Sequence, residues 1–209
     1  MHIYLFGSIC RGEIDEFSDI DLLAIVNSKE KNQLKLDTEK FSIYEEKRLR
    51  GLWNEGNPFA WHLHLESKLV YSSNAGDPIR VWGEPRPYSN VNDDLKKFHT
   101  LFSDSLTSIL ESEYSRVFDL SMLFLAIRNF ASCYSLGHLK EHNFSRNSAL
   151  KLTSKRLEIS EKCFQILERS RILSTRGKGA QITNLEINIV LAEIHKISDW
   201  FQLILENNE

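Results

Sequence analysis

Two aspartates separated by one apolar residue, Asp19-Ile20-Asp21, are the part of this sequence best suited to chemistry. They begin an apolar run that extends to Val26 and is typical of a β-strand. Residues i and i+2 of a strand point to the same face, so Asp19 and Asp21 are expected side by side. Ile20 and Leu22 are then expected in the core. Mg²⁺ binds one or two carboxylates together with substrate phosphates, and this pair is therefore a candidate metal site.

A glycine and a serine precede the aspartates, directly after a short strand-like run from Ile3 to Phe6. Glycine has no Cβ, so the backbone N–H groups of a Gly7-Ser8 turn and the serine hydroxyl can approach a phosphate closely. A phosphate-binding turn beside Mg²⁺ ligands supplies charge neutralisation and positions an in-line displacement. These residues therefore predict phosphoryl or nucleotidyl transfer.

The order of these elements resembles a known family. Three segments, Phe6-Gly7-Ser8, Arg11-Gly12-Glu13 and Ser18-Asp19-Ile20-Asp21-Leu22, are together similar to the signature of the DNA polymerase β-like nucleotidyltransferase superfamily. The likeness is closest to the minimal nucleotidyltransferases and covers about residues 1–90.

The resemblance implies a role for each matching residue. Gly7 and Ser8 would bind the triphosphate of the incoming nucleotide. Asp19 and Asp21 would bind Mg²⁺ and form the catalytic pair. Arg11 would lie near the phosphates or brace the turn. The implied reaction is transfer of a nucleoside monophosphate, AMP from ATP being the leading case, to a hydroxyl group, with release of pyrophosphate.

One element of the family pattern is missing from the expected place. Complete members carry a third carboxylate on a later strand, where it is a metal ligand and a base toward the acceptor hydroxyl. The strand expected to carry it has Ser42 and Tyr44 on one face, while Glu45 falls at its end and points the other way. Glu66 is the other weak candidate if its segment is a strand. The alternative to an active enzyme is therefore a degenerate regulatory module, similar to an antitoxin, that keeps the fold without catalysis.

The histidines before Glu66 allow two interpretations. On a strand, His62, His64 and Glu66 would share a face and form a metal cluster. On a helix, only His62 and Glu66 are aligned, with i, i+4 spacing, and they form an ordinary polar pair. Asn57 and Pro58 precede this segment and favour the helix.

The apolar pattern changes near the middle of the chain. Residues 1–90 alternate strand-like runs with helices and predict a nucleotidyltransferase domain with a small mixed sheet, in which 72–92 is a linker or wrapping segment. Residues 93–209 contain no proline and carry apolar residues at helical spacing, with a third helix over about 149–173 and a fourth over about 184–205. The fold class is therefore α+β, a small sheet domain followed by an all-helical four-helix bundle.

Composition limits the partners that we expect. A formal net charge of −3 over 209 residues gives no bulk electrostatic case for binding nucleic acid or an anionic membrane. No uninterrupted apolar run approaches the ~20 residues of a membrane span. Three scattered cysteines favour reduced thiols and a cytoplasmic location. The expected partners are a nucleoside triphosphate and a hydroxyl acceptor, either a small molecule such as an aminoglycoside or a protein such as a partner toxin; a homodimer is a further expectation.

Overall fold

A computed structural model of the chain describes residues 1–14, 20–28, 30, 36–38 and 40–206. They form two compact units, Met1–Ser89 and Asn90–Glu209. The first contains a mixed sheet and short helices, and the second is helical. The predicted α+β fold class is confirmed.

A mixed sheet forms the centre of the first unit, and four of its strands lie in the described residues. They are β1 (His2–Phe6), β2 (Asp21–Val26), β3 (Phe41–Glu45) and β4 (Ser67–Ser72). Their order in the sheet is β3-β2-β1-β4. β1 is antiparallel to β2 and β4, whereas β2 is parallel to β3. The strand that leads into the Gly7-Ser8 turn is therefore an interior strand, paired on both sides.

Two of the short helices of the first unit begin at residues whose side chains cap them. The helices of this unit in the described residues are α1 (Ser8–Arg11), α2 (Glu46–Asn54), α3 (Pro58–Glu66) and α4 (Pro78–Trp82). The Asn57 side chain accepts a hydrogen bond from the N–H of Phe59, 2.9 Å away, and Pro58 occupies the first turn of α3. Asp77 caps α4 by accepting from the N–H of Arg80.

The main hydrophobic cluster of this unit lies on one face of the sheet, and Ala24 and Val26 of β2 are buried on the other face. Tyr4 and Phe6 of β1 and Leu23 and Ile25 of β2 point to the face of the main cluster and are buried. α2 and α3 contribute further buried side chains to the same cluster, namely Leu49, Leu52, Trp53, Ala60 and Leu63.

The position of Asp21 relative to this core differs from the prediction. Asp21 pairs with Phe6, and residues opposite one another on antiparallel strands point to the same side. Asp21 therefore lies at the end of the core face. The expectation that Ile20 and Leu22 enter the core is wrong for Ile20, which is 63% exposed, and Leu22 is only partly buried.

The segment after β4 packs against the helices of the first unit. The indole N–H of Trp53 donates to the carbonyl of Gly83 at 2.9 Å, and the N–H of Arg86 donates to the carbonyl of Trp53 at 3.0 Å. Trp61 donates in turn to the carbonyl of Arg86 at 3.1 Å, and Tyr88 is buried. Residues 72–89 thus belong to the first unit by their contacts.

The second unit is a helical bundle. Its long helices, within the described residues, are α5 (Val91–Glu111), α6 (Arg116–Tyr134), α7 (Glu161–Arg176) and α8 (Asn184–Glu206), and α6 continues as a π-helical turn, Ser135–Leu139. α5 packs on α6, α6 on α7, α7 on α8, and α8 on α5. This closed cycle of contacts defines a four-helix arrangement.

α6 is the central helix of the bundle. Together with its π-helical turn, Arg116–Leu139 is long and apolar enough by composition to cross a membrane. However, 67% of its most apolar window is buried within the protein, as expected of a core helix.

The third long helix begins later than the apolar spacing predicts. Ser148–Lys151 forms a 3₁₀ turn, and the chain is then non-helical up to Ser160. The hydroxyl of Ser160 accepts from the N–H of Cys163 at 3.1 Å and so caps the start of α7. Leu152 and Leu157 of this segment are buried without being helical.

Replacing Gly56 by alanine tests the packing of the wrapping segment. Gly56 has φ 64°, and a Cβ there would lie 2.4 Å from the carbonyl oxygen of Pro87. We expect Gly56→Ala to lower the free energy of unfolding by about 3 kcal/mol, because left-handed strain and a backbone clash act together. Gly12→Ala is the control: Gly12 has φ 73° but nothing within 4 Å, so about 1 kcal/mol is expected. Urea unfolding gives both values, and equal losses would contradict the prediction.

Candidate active site

The end of β1 meets the start of β2 at a close contact. Phe6 pairs with Asp21, and Gly7 follows with φ 80° and ψ −143°, a conformation that other residues rarely adopt. A Cβ on Gly7 would lie 2.6 Å from Oδ2 of Asp21. Glycine is thus required for its conformation and for the space it leaves. The Asp21 carboxylate consequently lies against the backbone of the turn.

The turn after Gly7 is short and held at both ends. The carbonyl of Gly7 accepts from the N–H of Cys10 at 3.0 Å, and the carbonyl of Ser8 accepts from the N–H of Glu13 at 3.0 Å. The N–H of Gly7 donates to the carbonyl of Glu66 at 3.2 Å and is therefore engaged. The N–H of Ser8, at the start of α1, makes no main-chain hydrogen bond among the described residues. Ser8, whose N–H and hydroxyl are both donors, is the residue of this turn that the sequence predicts to bind a phosphate.

Arg11 is held by two carboxylates. Its Nε donates to Oε2 of Glu13 at 2.7 Å, and its Nη1 donates to Oε2 of Glu66. The side chains of Arg11 and Glu66 are only 17% and 13% exposed. Burial lowers the pKa of Arg11, but the hydrogen bonds to Glu13 and Glu66 outweigh burial and raise that pKa overall. These contacts tie α1 to the end of α3.

Glu66 also meets His62 across one turn of α3. His62 Nε2 lies 3.0 Å from Glu66 Oε2, the oxygen that Arg11 contacts. Burial raises the pKa of the Glu66 carboxyl, but the contacts with His62 and Arg11 outweigh burial and lower that pKa overall. The helical interpretation of this segment, with His62 and Glu66 as a pair, is confirmed. The interpretation as a strand with a metal cluster is wrong, because α3 extends through residue 66.

The strand beside Asp21 presents no acid on the same face. Ser42 pairs with Leu23 and Tyr44 pairs with Ile25, so both share the face of Asp21. Glu45 pairs with Val26, on the opposite face and roughly 16 Å along the strand from Asp21. Ser28 donates to the Glu45 carboxylate at 3.2 Å. Glu45 is therefore not beside the predicted site.

Glu66, the other candidate third carboxylate, is a partner of Arg11 and His62 as described above. Within the described ranges, no group of three or more His, Cys, Asp or Glu side chains is placed to hold a metal ion. Asp19, the second predicted ligand, lies outside the described residues, so its position stays a prediction.

Asp21 fits the chemistry of a Mg²⁺ ligand. It supplies a hard carboxylate oxygen, and this oxygen faces the space that a side chain on Gly7 would fill. The Ser8 donors lie on the next residue of the same turn. The Asp21 carboxylate and the predicted phosphate-binding residues, Gly7 and Ser8, therefore lie at two adjacent strand ends.

A comparison with protein families agrees with this arrangement. Residues 1–76 match the family model described as polymerase beta, nucleotidyltransferase. No curated protein matches the chain. The matched residues include β1 to β4, the Gly7-Ser8 turn and Asp21. Residues 1–76 are thus similar to a polymerase β-type nucleotidyltransferase domain, and the resemblance to the polymerase β-like superfamily stated from the sequence is confirmed for this part of the chain.

The contact between Gly7 and Asp21 can be tested by a double-mutant cycle. Gly7→Ala places a Cβ 2.6 Å from Asp21 Oδ2, whereas the Cβ of residue 21 is 3.8 Å away. We expect Gly7→Ala to cost about 3 kcal/mol of unfolding free energy in the wild type, and about 1–2 kcal/mol in Asp21→Ala, where only the backbone strain remains. Urea unfolding of the four proteins measures this coupling. Equal costs in both backgrounds would show that the contact is not tight.

Acid titration tests the environment of Glu66. Its pKa in the folded protein lies below the ordinary value of 4.5, so ionised Glu66 stabilises the fold above about pH 4.5, and this stabilisation is lost as the pH falls through the lowered pKa. We expect the wild type to be more stable than Glu66→Gln at neutral pH, and the difference to shrink below pH 4.5. Urea unfolding across this range provides the measurement. A difference independent of pH would contradict the prediction.

Proposed function

We propose that the protein is a nucleotidyltransferase that transfers a nucleoside monophosphate, AMP from ATP in the leading case, to a hydroxyl group. The observation that carries the proposal is the Asp21 carboxylate lying against Gly7, within residues that match the nucleotidyltransferase family. A carboxylate binds cations, whereas hydrogen-bond donors bind phosphates. Their short separation suits a site at which a cation and a phosphate bind together.

The chain's own residues have distinct parts in this proposal. The N–H and hydroxyl of Ser8 donate to the triphosphate, and Gly7 keeps the approach open. Asp21, with Asp19, would hold Mg²⁺, which when bound neutralises phosphate charge and orients the α-phosphoryl group for in-line attack. Arg11, at the end of the same turn, holds it against α3. Pyrophosphate is the leaving group.

The acceptor is a hydroxyl on a small molecule, such as an aminoglycoside, or on a protein side chain, such as a tyrosine of a partner toxin. The proposal places the protein in the cytoplasm, with the second unit available for a protein partner or for a second copy of the chain. Neither nucleic acid nor a membrane is part of the proposal.

A nucleotide-binding module without transfer is a second candidate. The observation that favours it is the pair Ser42 and Tyr44 on β3, on the face where complete family members carry the third carboxylate. A hydroxyl acceptor needs a base, and neither side chain is a good one at neutral pH. In this case nucleotide binding would regulate a partner bound by the helical unit.

Label transfer distinguishes the two candidates. ATP radiolabelled on the α-phosphate is incubated with Mg²⁺ and the protein alone, an aminoglycoside panel or a cell lysate. We expect the wild type to label an acceptor and Asp21→Asn, alone or with Asp19→Asn, to lose more than about 100-fold of the rate, because the metal ligand is removed. Glu45→Gln is the matched control, since Glu45 lies at the other end of β2 on the opposite face, and it should retain full activity.

Thermal unfolding with and without ATP and Mg²⁺ completes this test. A ligand that binds the folded state raises the melting temperature, and Asp21→Asn should remove the increase while leaving the circular dichroism spectrum unchanged. An increase without label transfer supports the binding module. No label and no increase would refute both candidates.

A further inference from the structure

We infer that Glu66 is a positioning residue for the phosphate-binding turn, with His62 as its support. Glu66 acts through Arg11 and through the main chain of Gly7. The inference rests on the proposed function, because it assigns to Glu66 the task of shaping the site for the triphosphate rather than binding Mg²⁺.

Glu66 contacts both ends of the turn. Its carbonyl oxygen accepts the N–H of Gly7 at 3.2 Å, and its carboxylate accepts Nη1 of Arg11. Gly7 and Arg11 are the residues that precede and end α1, so one residue of α3 holds the whole turn from both sides. Ser8, the proposed phosphate donor, lies between these two points.

His62 limits the movement of the Glu66 carboxylate. Its Nε2 is 3.0 Å from Oε2 of Glu66. The ring is packed edge-on against Phe6 and Phe59, with ring centroids 5.8 Å and 6.4 Å away. Phe6 is the last residue of β1, so the His62 ring packs against the strand end from which the turn begins. A carboxylate held from one side by a packed ring and from the other by a guanidinium has little rotamer freedom left.

The charge balance of the cluster argues against a metal-ligand role for Glu66. Its carboxylate oxygen Oε2 accepts a hydrogen bond from Nη1 of Arg11 and lies 3.0 Å from Nε2 of His62. The side chains of Glu66 and Arg11 are 13% and 17% exposed, so removing either partner leaves the other in a poorly hydrated place. A cation that coordinated Oε2 would have to displace this guanidinium. The arrangement instead resembles that of side chains that do not bind a metal themselves but orient, through hydrogen bonds, the groups that do.

The two roles predict different kinetics. If Glu66 positions the turn, its loss weakens binding of ATP with Mg²⁺ and raises KM, while kcat changes little. Once Glu66 is replaced, a further substitution of Arg11 should not weaken ATP binding any more, because Arg11 acts through the same contact. If Glu66 bound the metal or served as the base, its loss would lower kcat, and its effect would multiply with that of Arg11.

The experiment is a double-mutant cycle on ATP affinity, with Arg11→Met, Glu66→Gln and the double variant. Isothermal titration with ATP and Mg²⁺ gives Kd, and label transfer gives KM and kcat. Each single variant should weaken binding about tenfold, and the double variant also about tenfold rather than about a hundredfold. Glu13→Gln is the matched control: Glu13 pairs with the same guanidinium but is 39% exposed, so its effect should stay within about twofold.

The outcomes separate this inference from the proposed function. A wild type that binds no ATP with Mg²⁺ would refute both. A wild type that binds, together with Glu66→Gln that binds equally well, would refute only the positioning role, even if unfolding free energy has fallen. A multiplicative double variant, or a loss confined to kcat, would refute it as well. If Glu66→Gln does not fold, Arg11→Lys keeps the charge but not the planar fork, and an affinity equal to that of the wild type would overturn the inference.

Discussion

The close contact between the Gly7 backbone and the Asp21 carboxylate is the constraint on which the first unit depends. It requires β1 and β2 to be antiparallel neighbours whose ends coincide, which the pairing of Phe6 with Asp21 provides. It also requires residue 7 to lack a side chain. The buried face of the sheet, covered by α2 and α3, keeps the two strand ends in register. A small change in register would separate the carboxylate from the turn.

The contacts that Glu66 makes with the turn come from a part of the sequence far from Gly7. α3 ends where β4 begins, and β4 pairs with β1 on the side away from β2. This topology brings Glu66 to the turn although it is 55 residues away from Arg11. The site is therefore assembled by three strand or helix ends, and the core contributes to it by aligning them. β3 presents Ser42 and Tyr44, and no carboxylate, on the face that it shares with Asp21.

Local signals predicted much of this structure. The Gly7-Ser8 turn, the capping of α3 by Asn57 and Pro58, and the fold class depend on neighbouring residues, and the structure agrees. The errors concern non-local packing. How deeply Ile20 and Leu22 are buried depends on the elements that cover the sheet, and the neighbouring sequence could not reveal it. The non-helical chain before Ser160 contains buried leucines, and apolar residues alone could not show where α7 begins. The Glu66 contact with Arg11 left no signal in sequence spacing.

The burial of α6 on several sides has a consequence for biosynthesis. α5 precedes α6 in the chain, but α7 and α8 follow it, and α6 packs on α7 as well as on α5. While the chain emerges from the ribosome, α6 is complete before α7 exists, so one apolar side of α6 stays uncovered during that interval. The helical unit thus reaches its final form only after its last helices have been synthesised, and chaperones that bind exposed apolar segments have a natural target in α6 until then.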